Sequence, residues 1–193
     1  MLEAFDKNIT GCVNLTSPEL DLVHQFFQYK TCKKKTLLLS KGQVCNFEAY
    51  IIKGCVKKYY LDQNGDEVIL QFAVEDWWIS DMVSFTEQIP SLLYIETMEE
   101  TELLQINFQD KEQLFKQVPQ LERVFRLLVQ RAYSVLENRF LTGVAASAEE
   151  RYLNFIKKYP MLPQRVPQYQ IASYLGITPE ALSRIKASLI RKK

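Results

Sequence analysis

The stretch QYQIASYLGITPEALSRI, from Gln168 to Ile185, decides how this chain is read. Counted from Gln168, the residues Ile171, Ala172, Leu175, Gly176, Ile177, Leu182 and Ile185 stand at positions 4, 5, 8, 9, 10, 15 and 18. A helix-turn-helix needs apolar, small and turn-forming residues at those places. Two short helices cross steeply through a three- or four-residue turn, and their facing side chains must fill the wedge between them. Ile171, Leu175, Leu182 and Ile185 supply that filling, and Ala172 keeps the first helix slim at the crossing. Gly176 provides the left-handed backbone that ends the first helix. Thr178 caps the second, and Pro179 occupies its first turn, where a missing N–H costs nothing. The second helix of such a unit normally enters the major groove of DNA. A short surface helix pair in an ordinary core is the plain alternative, but it does not require the Gly, the cap and the Pro in order.

Charge supports the same reading. From Gly143 to the end there are nine Lys or Arg and three Asp or Glu, a balance of +6. The preceding residues balance to −5, so the chain's net charge of +1 hides a basic tail on an acidic body. A basic segment that also carries a helix-turn-helix fits phosphate neutralisation. No N-terminal signal-like segment and no membrane-length apolar run occurs, so a cytoplasmic location without membrane contact is expected.

Catalytic and metal readings find little support. Cys12, Cys32, Cys45 and Cys55 form no C-x-x-C pair, so the usual zinc and thioredoxin spacings are missing, and buried apolar roles are expected. The single histidine, His24, lies on an apolar helix face with Leu20, Val23 and Phe27 and reads as structural. One histidine is too few for most hydrolase or oxygenase sites. The expectation is a non-enzyme with no cofactor and no metal, and a cupin-like enzyme is the weaker alternative.

Working back from the motif, Ser17-Pro18-Glu19 opens a helix to about Tyr29, with Ser17 as its cap. A strand-rich region follows from about Thr31 to Ile106, and its strongest hairpin signal is Asn64-Gly65. Strands separated by tight turns predict an antiparallel roll or barrel. Asn107 to Val118 reads as a short helix, and Pro119 starts a long one. Along it Leu121, Phe125, Leu128, Ala132 and Val135 recur at heptad spacing, which predicts a seam that pairs with a second copy across a dimer axis. A core helix covered within one chain is the alternative. Val124, Leu127, Leu136 and Phe140 form a second apolar stripe. Gly143 is expected to break the helix as a hinge, and Ser147 with Glu150 forms a capping box for the next one.

This order of parts resembles the Crp/Fnr family of bacterial transcription regulators over nearly the whole chain. Two segments carry the likeness: Ile177 to Ile185, similar to the family's recognition helix, and Asp76-Trp77-Trp78-Ile79-Ser80-Asp81-Met82, similar to its Bacteroidetes-type members. The resemblance implies an α+β fold. Its parts are an antiparallel, cyclic-nucleotide-binding-like β-roll sensor at 1–118, a dimerisation helix at 119–142 and a helix-turn-helix domain at 143–193. It also implies a homodimer on double-stranded DNA, with room for an unidentified small-molecule effector and for an RNA polymerase contact.

The recognition helix carries over residue by residue. Glu180 and Arg184 share one helix face and suit cytosine N4 and guanine O6/N7, and Ser183 beside them lets the helix seat deeply. Gln168, Gln170, Thr178 and Pro179 lie at helix starts, where phosphates are met. Pro179 replaces the Arg that often precedes the family's Glu. The chain stops soon after the recognition helix, so the family's wing is expected to be truncated or absent, with Arg191, Lys192 and Lys193 substituting electrostatically. Ser80-Asp81 stands where relatives hold the ribose of cyclic AMP, and Ser91 stands near the phosphate position, without the usual Arg. A buried phosphate lacking a cation is costly. The expected effector pocket, Trp78, Ser80, Asp81 and Ser91, is therefore not expected to take cyclic AMP. Trp77, Trp78 and Phe85 suggest an apolar wall there, or plain core. The competing reading is a β-roll ligand or interaction module whose terminal helices meet a partner protein.

Overall fold

The structure is a computed structural model that describes residues 2–191, so Lys192 and Lys193 lie outside the described residues. The elements run α1 Glu3–Thr10, α2 Ser17–Phe26, β1 Gln28–Cys32, β2 Leu37–Leu39, β3 Glu48–Lys53, β4 Val56–Leu61 and β5 Glu67–Ala73. They continue with β6 Trp78–Ile79, α3 Met82–Glu87, β7 Tyr94–Thr97, β8 Thr101–Ile106, α4 Phe108–Gln117 and α5 Gln120–Ala145. The last four are α6 Ala148–Lys158, α7 Leu162–Arg165, α8 Gln168–Leu175 and α9 Pro179–Arg191. The chain divides into two compact units. One comprises Met1–Lys58 and Phe72–Gln130, and the other Tyr59–Gln71 and Arg131–Lys193. The expected limits at 118 and 142 do not coincide with this division, which falls inside α5 and takes the β4–β5 turn with the C-terminal helices.

Among the described residues, eight strands form two four-stranded sheets, ordered β1-β8-β3-β6 and β2-β7-β4-β5. Strand alternation sorts the core of the first unit into two layers. Tyr50 pairs with Leu104 across β3 and β8, and both face a helical layer with Phe5, Val23, Phe27 and Leu114. The next pair, Ile51 and Leu103, faces Val56, Ile79 and Ile95 in the roll interior. His24 serves this architecture: its Nε2 lies 2.6 Å from Asp6 Oδ1 and ties α2 to α1. Gly54 holds φ +110° between β3 and β4, where an added Cβ would stand 2.5 Å from Thr101 Oγ1, so no larger residue fits.

Several expectations are corrected at this level. Thr16, not Ser17, caps α2, with its amide and hydroxyl on Glu19 Oε2 at 2.7 Å. The helix ends at Phe26, because Gln28 already pairs with Gln105. Helices α1 and α3 were not anticipated. Gly143 does not break α5, which continues to Ala145. An interior helical Gly costs only about 1 kcal/mol, and Arg151 donates to the Gly143 carbonyl at 3.1 Å, supporting the last turn.

The heptad seam is corrected too. Leu121 and Phe125 are buried in the helical layer of their own unit, and Leu128 packs against it. Only Ala132 and Val135 of that expected stripe stay exposed. A different stripe lies open: Val129 at 42%, Tyr133 at 64%, Leu136 at 63% and Phe140 at 70% exposed. Its spacing of 4, 3 and 4 is again heptad, shifted around the helix. Among the described residues, no helix is long and apolar enough to cross a membrane.

Candidate nucleic-acid interface and effector pocket

The helix-turn-helix is built as its residues require. Ile171, Ala172, Leu175 and Leu182 are buried in the wedge between α8 and α9. Gly176 takes φ +66°, and the following amide, of Ile177, returns to the Ala172 carbonyl at 3.0 Å. That bond closes the end of α8 and aims the chain into the turn. Thr178 Oγ1 accepts from the Ala181 amide at 3.2 Å, capping α9 as expected. Behind the pair, Phe155, Tyr159 and Tyr174 stack with ring centroids 5.4 to 6.2 Å apart. Helix α6 supplies Phe155, with Tyr159 as its C-cap, and starts from the expected capping box, Ser147 with Glu150.

The outward side chains form a short polar row. Gln168, Thr178, Pro179, Glu180, Ser183, Arg184 and Arg191 are all exposed. Glu180 sits in the first turn of α9. Its own amide, the Thr178 hydroxyl and the charge of Arg184 hold its carboxyl below the usual carboxylate range. It therefore remains an anionic acceptor at neutral pH, one helical turn from a guanidinium donor. Such a row offers one acceptor and one bidentate donor to a groove floor. Gln170 departs from expectation: it is 3% exposed, and its Nε2 donates to Glu67 Oε2 at 3.0 Å. Helix periodicity places it inward, one residue before Ile171 and four before Tyr174.

In the first unit, three of the four expected effector-pocket residues gather. Asp81 caps α3, and its Oδ2 accepts from Ser91 Oγ at 2.6 Å. Ser80 Oγ donates to the Phe47 carbonyl at 2.8 Å. Asp81 and Ser91 are buried, so this corner of the roll is occupied by mutually bonded side chains. Trp78 does not join them. It lies in the helical layer, 5.5 Å from Phe125 and 5.6 Å from Tyr50 by ring centroid, and its Nε1 donates to Asn8. Alternation along β6 sends Trp78 to one side and Ile79 to the other. Phe85 is buried in the roll core, so the tryptophan and phenylalanine follow the plain core reading.

The residue missed from sequence is Lys58. Its Nζ donates to the Ser80 carbonyl at 3.0 Å, and burial lowers its pKa against the opposing effects of Asp81 and Cys45. Two adjacent lysines in a strand cannot both face water under strict alternation, and that was the available signal. Lys57 is buried as well, 3.6 Å from Glu96. Cys45 and Cys55 are buried, and Cys12 and Cys32 are half-buried.

Comparison with known proteins agrees with this architecture. Residues 29–118 match the cyclic nucleotide-binding domain family. The chain is 26% identical over 186 residues to an anaerobic regulatory protein of Haemophilus influenzae, covering 89% of this chain and 70% of the relative. FixK2 of Bradyrhizobium japonicum superposes with a TM-score of 0.74 at 17% identity, over 86% of this chain and 85% of that one. The c-di-GMP responsive global regulator CLP of Xanthomonas campestris gives 0.73 at 14% identity, over 92% and 93%. Residues 29–118 thus match a cyclic nucleotide-binding domain, and the chain as a whole shares the fold of these solved structures.

Proposed function

We propose that this chain is a transcription regulator of the Crp/Fnr type that binds DNA as a homodimer and reads sequence through Glu180, Ser183 and Arg184 of α9. Gln168, Thr178 and Pro179 stand at helix starts beside phosphates, and the basic end around Arg191 adds electrostatic affinity. The observation that carries the reading is the exposed row on α9 over a fully packed wedge, since a merely structural helix pair has no need to keep Glu180 and Arg184 clear of the core. The open stripe Val129, Tyr133, Leu136 and Phe140 supplies the dimer seam. Pairing brings two recognition helices to half-sites about one turn, roughly 34 Å, apart.

The β-roll corner at Ser80, Asp81 and Ser91 is the input site in this reading, and its chemistry is unlike a cyclic nucleotide phosphate cradle. The Asp81 carboxylate faces Ser91 where an anion would need donors, and the cation at hand, Lys58, already serves the Ser80 carbonyl. Cyclic AMP is therefore not its effector.

The test is a mobility-shift titration on promoter fragments at several salt concentrations. Wild-type binding weakens steeply as salt rises. Arg184→Ala loses about 1–3 kcal/mol of discrimination between good and mismatched sites while keeping most non-specific affinity. An unchanged site preference in that variant would remove Arg184 from base readout.

A further inference from the structure

The start of β5 grips the first helix of the helix-turn-helix, and it does so with an acid. Strand β5 is outermost in its sheet, so its outer edge has backbone groups with no strand to pair with. Side chains of the helical region take them up. The Ile69 amide donates to Ser173 Oγ at 3.0 Å, and that hydroxyl donates to the Glu67 carbonyl at 2.6 Å. Arg139 donates to the carbonyls of Ile69 and Leu70 and, at 2.9 Å, to that of Tyr174, while its guanidinium lies 4.1 Å from the Tyr174 ring centroid. Glu67 completes the grip through Gln170 Nε2.

The chemistry of this grip opposes DNA. Gln168 to Gln170 form the first turn of α8, the positive end of its dipole and the place where a DNA phosphate would be met. The Glu67 carboxylate stands beside that turn as an intramolecular anion, bonded to the Gln170 side chain. The docked arrangement also carries a cost of its own, because Gln170 Oε1 is buried with no hydrogen-bond partner among the described residues. A buried acceptor left in that state favours release into water. A contact made of good bonds beside an unsatisfied group is suited to opening and closing.

We infer that the start of β5 is an autoinhibitory latch, in which Glu67, seated through Gln170 and Ser173, places a negative charge beside the first turn of α8. The inference rests on the DNA-binding reading above. Opening the latch frees the start of α8 for the DNA backbone, and closing it adds a negative charge beside it.

The experiment uses full-length protein and mixed-sequence duplex DNA, because phosphate contact does not depend on sequence. Glu67→Gln is compared with Asp66→Asn, an exposed acid one residue away that changes net charge equally. Glu67→Gln is expected to tighten binding about tenfold, on the scale of one charge-assisted hydrogen bond, and to steepen the salt dependence by about one counterion. Asp66→Asn is expected to change affinity about twofold or less. Ser173→Ala, which alters no charge, is expected to tighten binding as well. Equal effects of Glu67→Gln and Asp66→Asn would reduce the latch to general electrostatics and overturn it.

Hydrogen exchange at the Ile69 amide gives a reading independent of any variant. Saturating DNA is expected to speed its exchange in the wild type, because DNA opens the latch. Unchanged protection with DNA bound would overturn the inference. A wild type that binds no duplex at low salt, with Ile69 protected, would instead remove the DNA-binding reading on which it depends.

Discussion

The two halves of α5 carry apolar residues at the same heptad spacing and use them oppositely. From Leu121 to Leu128 the stripe is buried against α1, α2 and α4 of its own chain. From Val129 to Phe140 a stripe rotated around the helix stands open. Periodicity says that a helix has an apolar seam, but what covers the seam depends on which other elements reach it. The first half meets the roll's helical layer. The second half keeps its stripe exposed.

The largest expected difference between the halves is in stability. Phe125→Ala removes a ring packed against Trp78, Phe115 and Lys111 and should cost about 3–5 kcal/mol. Urea unfolding at fixed protein concentration measures it. A loss near zero would mean that the buried half is not core.

Lys111→Met sharpens the same half. Lys111 Nζ lies 2.5 Å from Glu48 Oε2 in a buried pair, and removing one partner of such a pair typically costs about 3–5 kcal/mol. Burial already raises the Glu48 pKa, and Lys111 opposes that rise. Without the lysine, the folded-state pKa stands further above its unfolded value. The penalty is therefore full above the raised pKa and shrinks as pH falls through it towards the ordinary carboxylate value. A pH-independent penalty in the urea midpoint would point to lost packing rather than to an uncompensated charge.

Phe140→Asp addresses the open half. It should leave the unfolding of the monomeric units nearly unchanged while weakening self-association by on the order of a hundredfold. Sedimentation equilibrium distinguishes this from Phe125→Ala. An unaltered association constant would detach the exposed stripe from dimerisation. The smallest effect is expected just past the end of α5. Ser147→Ala should cost about 1 kcal/mol at neutral pH by removing the cap of α6. Glu150 is held below the usual carboxylate range chiefly by the Ser147 amide. The stabilisation from this box is present above the ordinary carboxylate pKa and is lost as pH falls through the depressed value. The gap between variant and wild type should narrow in acid.

Local chemistry was legible in advance where a few neighbouring residues settle it. The Asn64-Gly65 turn, the Ser147–Glu150 box, the Gly176 stop and the Thr178 cap all formed as read. The misreadings arose where a distant partner decides. Gly143 looked like a breaker, yet the Arg151 side chain supports the helix end. Trp78 looked like a pocket wall beside Ser80, yet the alternation of a two-residue strand turned it into the helical layer. Gln170 looked available to phosphate, yet Glu67, more than a hundred residues away in sequence, holds it.

The sequence by itself determined the roll, the long helix and the closing helix pair α8 and α9, because caps, turn glycines and apolar periods act within a few residues. Only the tertiary structure decided which face of α5 is left uncovered, that Lys58 stands beside Ser80 and Asp81, and that Glu67 of β5 holds the Gln170 side chain. Those outcomes depend on which surfaces meet across the fold. Burial and charge pairing between distant residues leave no periodic trace along the chain.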